Sequence, residues 1–118
     1  PLSSGSVALL TKMAKRAGLP WDCVLSSELS GHYKPDPESY TKAAELLGLE
    51  PGEVMMTAAH QNDLRSAAKS GLHTAFVRRP SEFGNGTGLR NKADPETDPS
   101  FDFTANSFND LADQLGIA

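Results

Sequence analysis

"EVMMTAAHQNDLRSAAKSGLHTAFVRR", residues 53–79, reads as a strand, a helix and a second strand in succession. "EVMMTAA" (53–59) is an apolar run short enough to be a buried strand. Leu64, Ala67 and Ala68 recur at helical spacing as the inner face of the next element, which Gly71 ends. "HTAFVRR" (73–79) is another strand. Parallel neighbours need a crossover between them, and a helix of this length supplies one. The stretch is a βα unit of a parallel sheet.

The same alternation runs outward in both directions. Upstream, "GHYKPDPESY" (31–40) sets Lys34 before one proline and Asp36 before another. The residue ahead of a proline is pushed into extended backbone, so Lys34 sits on a short rigid connection where a side chain can be aimed. Asp36 followed by Pro37 is an N-cap acid with proline at the first helical position. Tyr40, Ala43, Ala44 and Leu47 continue that helix and Gly48 closes it. Nearer the start, "PLSSGS" (1–6) reads as the end of a strand plus a loop. Val7, Leu10, Ala14 and Ala17 form a helical stripe stopped by "GLP" (18–20). "CVLSS" (23–27) is a short strand, with Trp21 and Cys23 expected to pack at its start.

Downstream, composition shifts between Ser81 and Ser100 to Gly, Pro, Asn, Asp, Glu and Thr, which predicts a long surface loop or disordered insertion. "FDFTA" (101–105) is a last short strand. Ser107 and Asp110 form a capping-box-like helix start, with Phe108, Leu111, Ala112 and Leu115 expected on the buried side.

At 118 residues the chain is the size of one domain with a single core. Eleven basic against fifteen acidic side chains leave a formal charge of −4, which argues against a nucleic-acid or anionic-membrane surface. No apolar run approaches the roughly 18 residues of a membrane span. Cys23 is the sole cysteine, so an internal disulfide and a zinc knuckle are excluded, and a reducing, cytoplasmic setting fits. No internal repeat is present.

In parallel α/β folds ligands sit beyond the carboxyl ends of the strands. Three polar clusters fall there: Ser3–Ser4 after a truncated strand at the start, Lys34 after the next, and His60 to Asp63 after "EVMMTAA". His32 and His73 show no partner spacing and read as structural, while Arg78 and Arg79 read as surface residues, with a substrate-facing role as the alternative.

"PLSSG", "WDCVLSSELSGHYKPDPESY", "GEVMMTAAHQNDL" and "GLHTAFVRRP" together resemble the haloacid dehalogenase superfamily, and within it the type II L-2-haloacid dehalogenases. "GHYKPDPE" and "MMTAAHQNDL" at this separation are its most specific signals. The resemblance implies a Rossmann-like parallel sheet with flanking helices and a helical cap. It also implies a hydrolase whose first-strand aspartate attacks the halogen-bearing carbon, giving an ester that water cleaves. The substrate implied is a small 2-haloacid or another small carboxylate, and a homodimer is among the assemblies it allows.

On this resemblance Ser3 is a hydroxyl that hydrogen-bonds the reacting aspartate or the substrate carboxylate, a donor aimed at negative charge. A loop or helix-capping serine is the plain alternative. Ser4 stands where the family typically carries asparagine in its halide cradle, and a hydroxyl offers one donor where an amide offers two. Lys34 would keep the nucleophilic carboxylate ionised, since a nearby opposite charge lowers a carboxylate pKa. Asp63 would orient Lys34 or help activate the hydrolytic water, with a plain helix N-cap as its alternative. His60 stands where several dehalogenases have asparagine. It would position or deprotonate that water, or else donate to a backbone carbonyl.

The superfamily's phosphatases carry a GD-x-x-x-D loop whose two acids serve Mg²⁺. Counting back from Asp63, the first acid would fall at Ala59, and alanine cannot ligate a cation that wants oxygen ligands. The expectation is a metal-independent dehalogenase without a cofactor, with a phosphatase or a non-catalytic α/β interaction domain as alternatives. No acid occupies the place of the nucleophile: Asp22 precedes its strand, and Asp102 lies within "FDFTANSF". The chain is therefore read as the carboxyl-terminal part of one such core domain. The first strand, the cap and the amino-terminal half would lie outside it, and it is expected to be inactive alone.

Overall fold

The computed structural model of the chain describes residues 1–82 and 97–117. They form two compact units, Pro1–Val54 and Met55–Ala118.

In the first unit β1 (Leu2–Ser3) lies parallel to β2 (Leu25–Ser26), Leu2 opposite Leu25 and Ser3 opposite Ser26. Between them runs α1 (Val7–Ala17), entered through Ser6, whose hydroxyl accepts from Leu9 N–H at 3.1 Å. The expected apolar stripe is only half realised. Val7, Leu10 and Ala14 are half-buried, Ala17 is exposed, and Leu9 and Met13 on other faces are exposed as well. Trp21 and Cys23, expected to pack, are exposed too. They precede a strand of only two residues, which offers little surface to pack against.

A one-turn helix, α2 (Ser27–Ser30), follows β2 directly and separates it from Lys34. Then comes α3 (Pro37–Leu46), with Asp36 at its N-cap as the sequence requires. The Asp36 side chain makes no capping bond; its Oδ2 lies 3.5 Å from Nδ1 of His32 instead. Tyr40, Ala43 and Ala44 are buried, while Leu47, already at the helix end, is exposed. Gly48 at φ 71° turns the chain out of α3, a left-handed conformation that costs glycine nothing.

In the second unit β3 (Met55–Ala58), β4 (His73–Val77) and β5 (Phe103–Ala105) form a three-stranded sheet, all pairs parallel, with β4 in the middle. The crossover from β3 to β4 is α4 (Gln61–Lys69), and α5 (Phe108–Leu115) follows β5. Ala75, Val77, Ala105 and Leu111 form the core, with Met55 and Phe103 packed against it. Leu64 and Ala67 of α4 are fully buried, but Ala68 is exposed and Gln61 takes the remaining inner place at 1% exposure. In α5, Ser107 caps Asp110 N–H at 3.0 Å, and the Asp110 carboxylate reaches back to Asn106 N–H rather than to Ser107. Leu111 is buried, Ala112 is half-buried, and Phe108 and Leu115, expected inside, are exposed. The helical period names a face; how much of it is covered depends on a three-residue strand opposite.

Of the loop expected over 81–100, residues 83–96 lie outside the described residues. Among the described residues no helix is long and apolar enough to cross a membrane.

Candidate functional site

The polar end of the first unit is built from serines. Ser3 closes β1, and its hydroxyl accepts from Gly5 N–H at 3.1 Å, which bends the chain away from the strand. Ser26, buried at the end of β2, donates to Gly5 O at 2.6 Å and accepts from Glu28 N–H at 3.1 Å. Ser27 Oγ lies 3.4 Å from Ser4 Oγ, and Glu28 Oε1 accepts from Val7 N–H at 2.6 Å. Ser3 and Ser4 thus stand together at one strand end, half-buried and exposed respectively. The Ser3 oxygen is engaged as an acceptor there, and its own hydroxyl proton remains available to donate.

Lys34 occupies a turn that Asp36 N–H closes on Tyr33 O at 3.0 Å, and the Lys34–Pro35 peptide is cis. The turn is anchored from behind, because the His32 carbonyl accepts from Ser30 Oγ at 3.0 Å and from Ser39 Oγ at 3.1 Å. Ser39 is buried in α3, so the connection carrying Lys34 is tied to a packed helix. His32 does have partners, contrary to its sequence reading. Its Nδ1 is 3.5 Å from Asp36 and 3.9 Å from Glu38. These three are also the group of metal-ligand side chains that the described residues bring together, within 4.8 Å of one another.

In the second unit the carboxyl end of β3 runs through Ala59 into His60, the N-cap of α4, with Asp63 in that helix's first turn. A carboxylate there complements the partial positive charge of the helix end. Asp63 is half-buried and is the third residue of the helix rather than its cap. His60 makes no capping bond. Its Nε2 faces Glu82 Oε1 at 2.7 Å, so the backbone-carbonyl alternative is replaced by a carboxylate partner that the sequence did not suggest. Arg79 Nη1 approaches the same Glu82 oxygen at 3.5 Å.

Beside these, buried Gln61 accepts through Oε1 from Asp98 N–H at 2.9 Å and from Arg65 Nη2 at 3.2 Å. Asp98 takes Ser100 N–H and Oγ on one oxygen and Arg65 Nε on the other. The Ser100 hydroxyl, then its amide, then Arg65 hold the Asp98 carboxyl below the usual range. Arg78 lies over the Phe76 ring, 5.7 Å from its centroid, and donates to Thr97 Oγ1 at 3.0 Å. Neither Gln61 nor Glu82 carries a local sequence signal; a buried amide and a pairing across 22 residues are visible only in three dimensions.

His73 and Asp102 pair at 3.2 Å at the amino end of the sheet, away from the strand ends that bear His60. The Thr74 amide is the main reason the Asp102 carboxyl sits below its ordinary value, with His73 adding to it and burial opposing it. The structural reading of His73 fits this position, although it too has a partner.

Parallel strands joined by helices make this an α/β protein. The chain belongs to the haloacid dehalogenase-like hydrolase family, whose model matches residues 2–71. It is 34% identical over 83 residues to an (S)-2-haloacid dehalogenase of Xanthobacter autotrophicus, covering 69% of this chain and 33% of the relative. The structure of a defluorinating L-2-haloacid dehalogenase superimposes with a TM-score of 0.88 at 46% identity, over 98% of this chain and 46% of that one. A Xanthobacter autotrophicus L-2-haloacid dehalogenase with chloropropionic acid covalently bound gives 0.81 at 28% identity, over 99% and 54%. The chain therefore spans about a third of the curated relative and about half of the solved ones.

Proposed function

We propose that the chain is part of an L-2-haloacid dehalogenase that cleaves the carbon–halogen bond of a small 2-haloacid through an aspartyl ester. The nucleophilic aspartate belongs to the amino-terminal half of the enzyme, outside these 118 residues. Its carboxylate oxygen attacks C2 and the halide leaves with the bonding pair. Water then adds to the ester carbonyl, and the 2-hydroxy acid is released. Lys34 holds the nucleophile ionised, Ser3 and Ser4 donate to carboxylate or halide, and Asp63 and His60 serve the water. A covalent haloacid adduct in a solved relative supports this course. A cytoplasmic location and a homodimer belong to the same reading.

The observation that carries it is the turn after β3. Four positions before Asp63 stands Ala59, and the residues between are His60, Gln61 and Asn62, so Asp63 is the sole carboxylate of that turn. A paired-acid Mg²⁺ site cannot be assembled from it. The complete enzyme is expected to release one halide per L-2-chloropropionate consumed, at the same rate in excess EDTA. Loss of activity on chelation with recovery on Mg²⁺, or phosphate release from phosphoesters in place of halide release, would replace this reading with a phosphatase.

A further inference from the structure

The contact between His60 and Glu82 carries an inference about which groups manage the water. His60 stands at the carboxyl edge of the second unit, between the end of β3 and the start of α4. Glu82 comes from the segment beyond β4, which ends at the same edge of the sheet. The two meet at 2.7 Å, the length of a charge-assisted hydrogen bond. Glu82 is the more enclosed of the two. Its side chain is 21% exposed against 62% for His60, and Arg79 Nη1 approaches the same carboxylate oxygen at 3.5 Å. Its amide also donates to the Arg79 carbonyl at 3.2 Å, so the backbone that presents the carboxylate is itself fixed.

We propose that Glu82 is a positioning residue that holds His60 as the base for ester hydrolysis, an inference that rests on the dehalogenase reading. The chemistry follows from the imidazole having two distinct nitrogens. When Nε2–H donates to Glu82, Nδ1 is the acceptor, and the ring cannot rotate away without breaking a charge-assisted bond. A base oriented by a third group is the arrangement by which weak nucleophiles are activated elsewhere. Nδ1 takes a proton from water as the oxygen bonds to the ester carbonyl carbon. The resulting imidazolium, stabilised by the Glu82 carboxylate, returns that proton to the alkoxide of the 2-hydroxy acid as the ester C–O bond breaks. The aspartic acid left behind loses its proton to solvent, and the cycle consumes one water. Glu82 touches neither substrate nor nucleophile.

The test uses the complete enzyme with E82L, E82Q, H60N and H60N/E82L. Leucine removes the acceptor, whereas glutamine keeps a neutral oxygen for Nε2–H; both abolish the ion pair with Arg79. E82L is expected to lower kcat at least about tenfold with KM within about twofold, and E82Q, which keeps the hydrogen bond but loses the charge, to fall between E82L and the parent. A first-turnover burst of about one halide per site should survive in E82L, because alkylation precedes the step that Glu82 supports. H60N/E82L should be no slower than H60N, the sign of two residues acting as one unit. An E82L enzyme with parental kcat, or one in which E82L slows H60N as much as it slows the parent, overturns the proposal. Proton NMR of the ring supplies a readout independent of turnover. The Hε2 resonance of His60 should be protected from exchange in parent and E82Q and lose that protection in E82L. Should the parent release no halide, the dehalogenase reading falls, while the resonance still decides the pairing: identical behaviour in parent and E82L would end it.

Discussion

The Asp102 carboxylate accepts from Thr74 N–H at 2.9 Å and lies 3.2 Å from His73, contacts made in the folded chain. Its folded pKa is depressed, chiefly by that amide. A depressed acid contributes stability that is present above its unfolded value of about 3.9 and fades as pH falls through the folded value. Asp102→Asn should therefore lower the thermal midpoint at neutral pH, and the gap to the parent should narrow as pH falls through the depressed folded value. A gap that stays constant down to acid pH would assign the effect to packing instead of charge. Lys34 makes the complementary case. Its ammonium is the cation that the dehalogenase reading assigns to the nucleophile, and methionine preserves its apolar stem. Lys34→Met in the complete enzyme should cost at least about a hundredfold in kcat, the scale of a lost electrostatic contact at a reacting centre. An enzyme as active as the parent would remove Lys34 from the mechanism. Both residues also show where sequence reading stops. The turn that carries Lys34 was legible because two prolines fix its backbone locally, whereas the partners of His73 and His60 lie 29 and 22 residues away.

Elements were legible in proportion to their length and to how completely they are covered. β3, α4 and β4 follow the switch from an apolar run to helical spacing and back, because each is long enough to display its period. α2 has four residues and displays none, so the sequence showed no element between β2 and Lys34 where a helical turn intervenes. Partial cover explains the misplaced residues of α5. Its period runs through Phe108 and Leu115, yet only Leu111 meets the core cluster, and helical spacing says nothing about what lies opposite. The difference has an energetic consequence. Leu64 of α4 is fully buried, so Leu64→Ala should destabilise the protein by about 2–5 kcal/mol in denaturant unfolding. Ser107→Ala, which removes only the cap on Asp110 N–H, should cost about 1 kcal/mol. Equal losses from the two would mean that α4 is not packed as described.

At the scale of the molecule the decisive group is one the described residues do not supply. The proposed chemistry begins with a carboxylate at the end of a strand, close enough to a lysine to remain ionised. The strand ends present otherwise: β1 ends in Ser3, β3 in Ala58 and β4 in Val77 followed by Arg78. Asp102 lies at the amino end of β5, with one oxygen already bonded by Thr74. Asp63 and Glu82 stand in a helix and a turn, where the reading gives them supporting work. Supporting groups without a nucleophile can bind an anion or order a water, but they cannot form the ester. The 118-residue chain by itself is therefore expected to release no halide from L-2-chloropropionate above the rate in buffer. Adding the amino-terminal half should restore release, and the covalent adduct should appear by mass spectrometry on a peptide of that half. Halide release by the 118 residues alone, or an adduct mapped to Asp63, Asp102 or Glu82, would place the nucleophile within this chain and overturn the division of labour proposed for it.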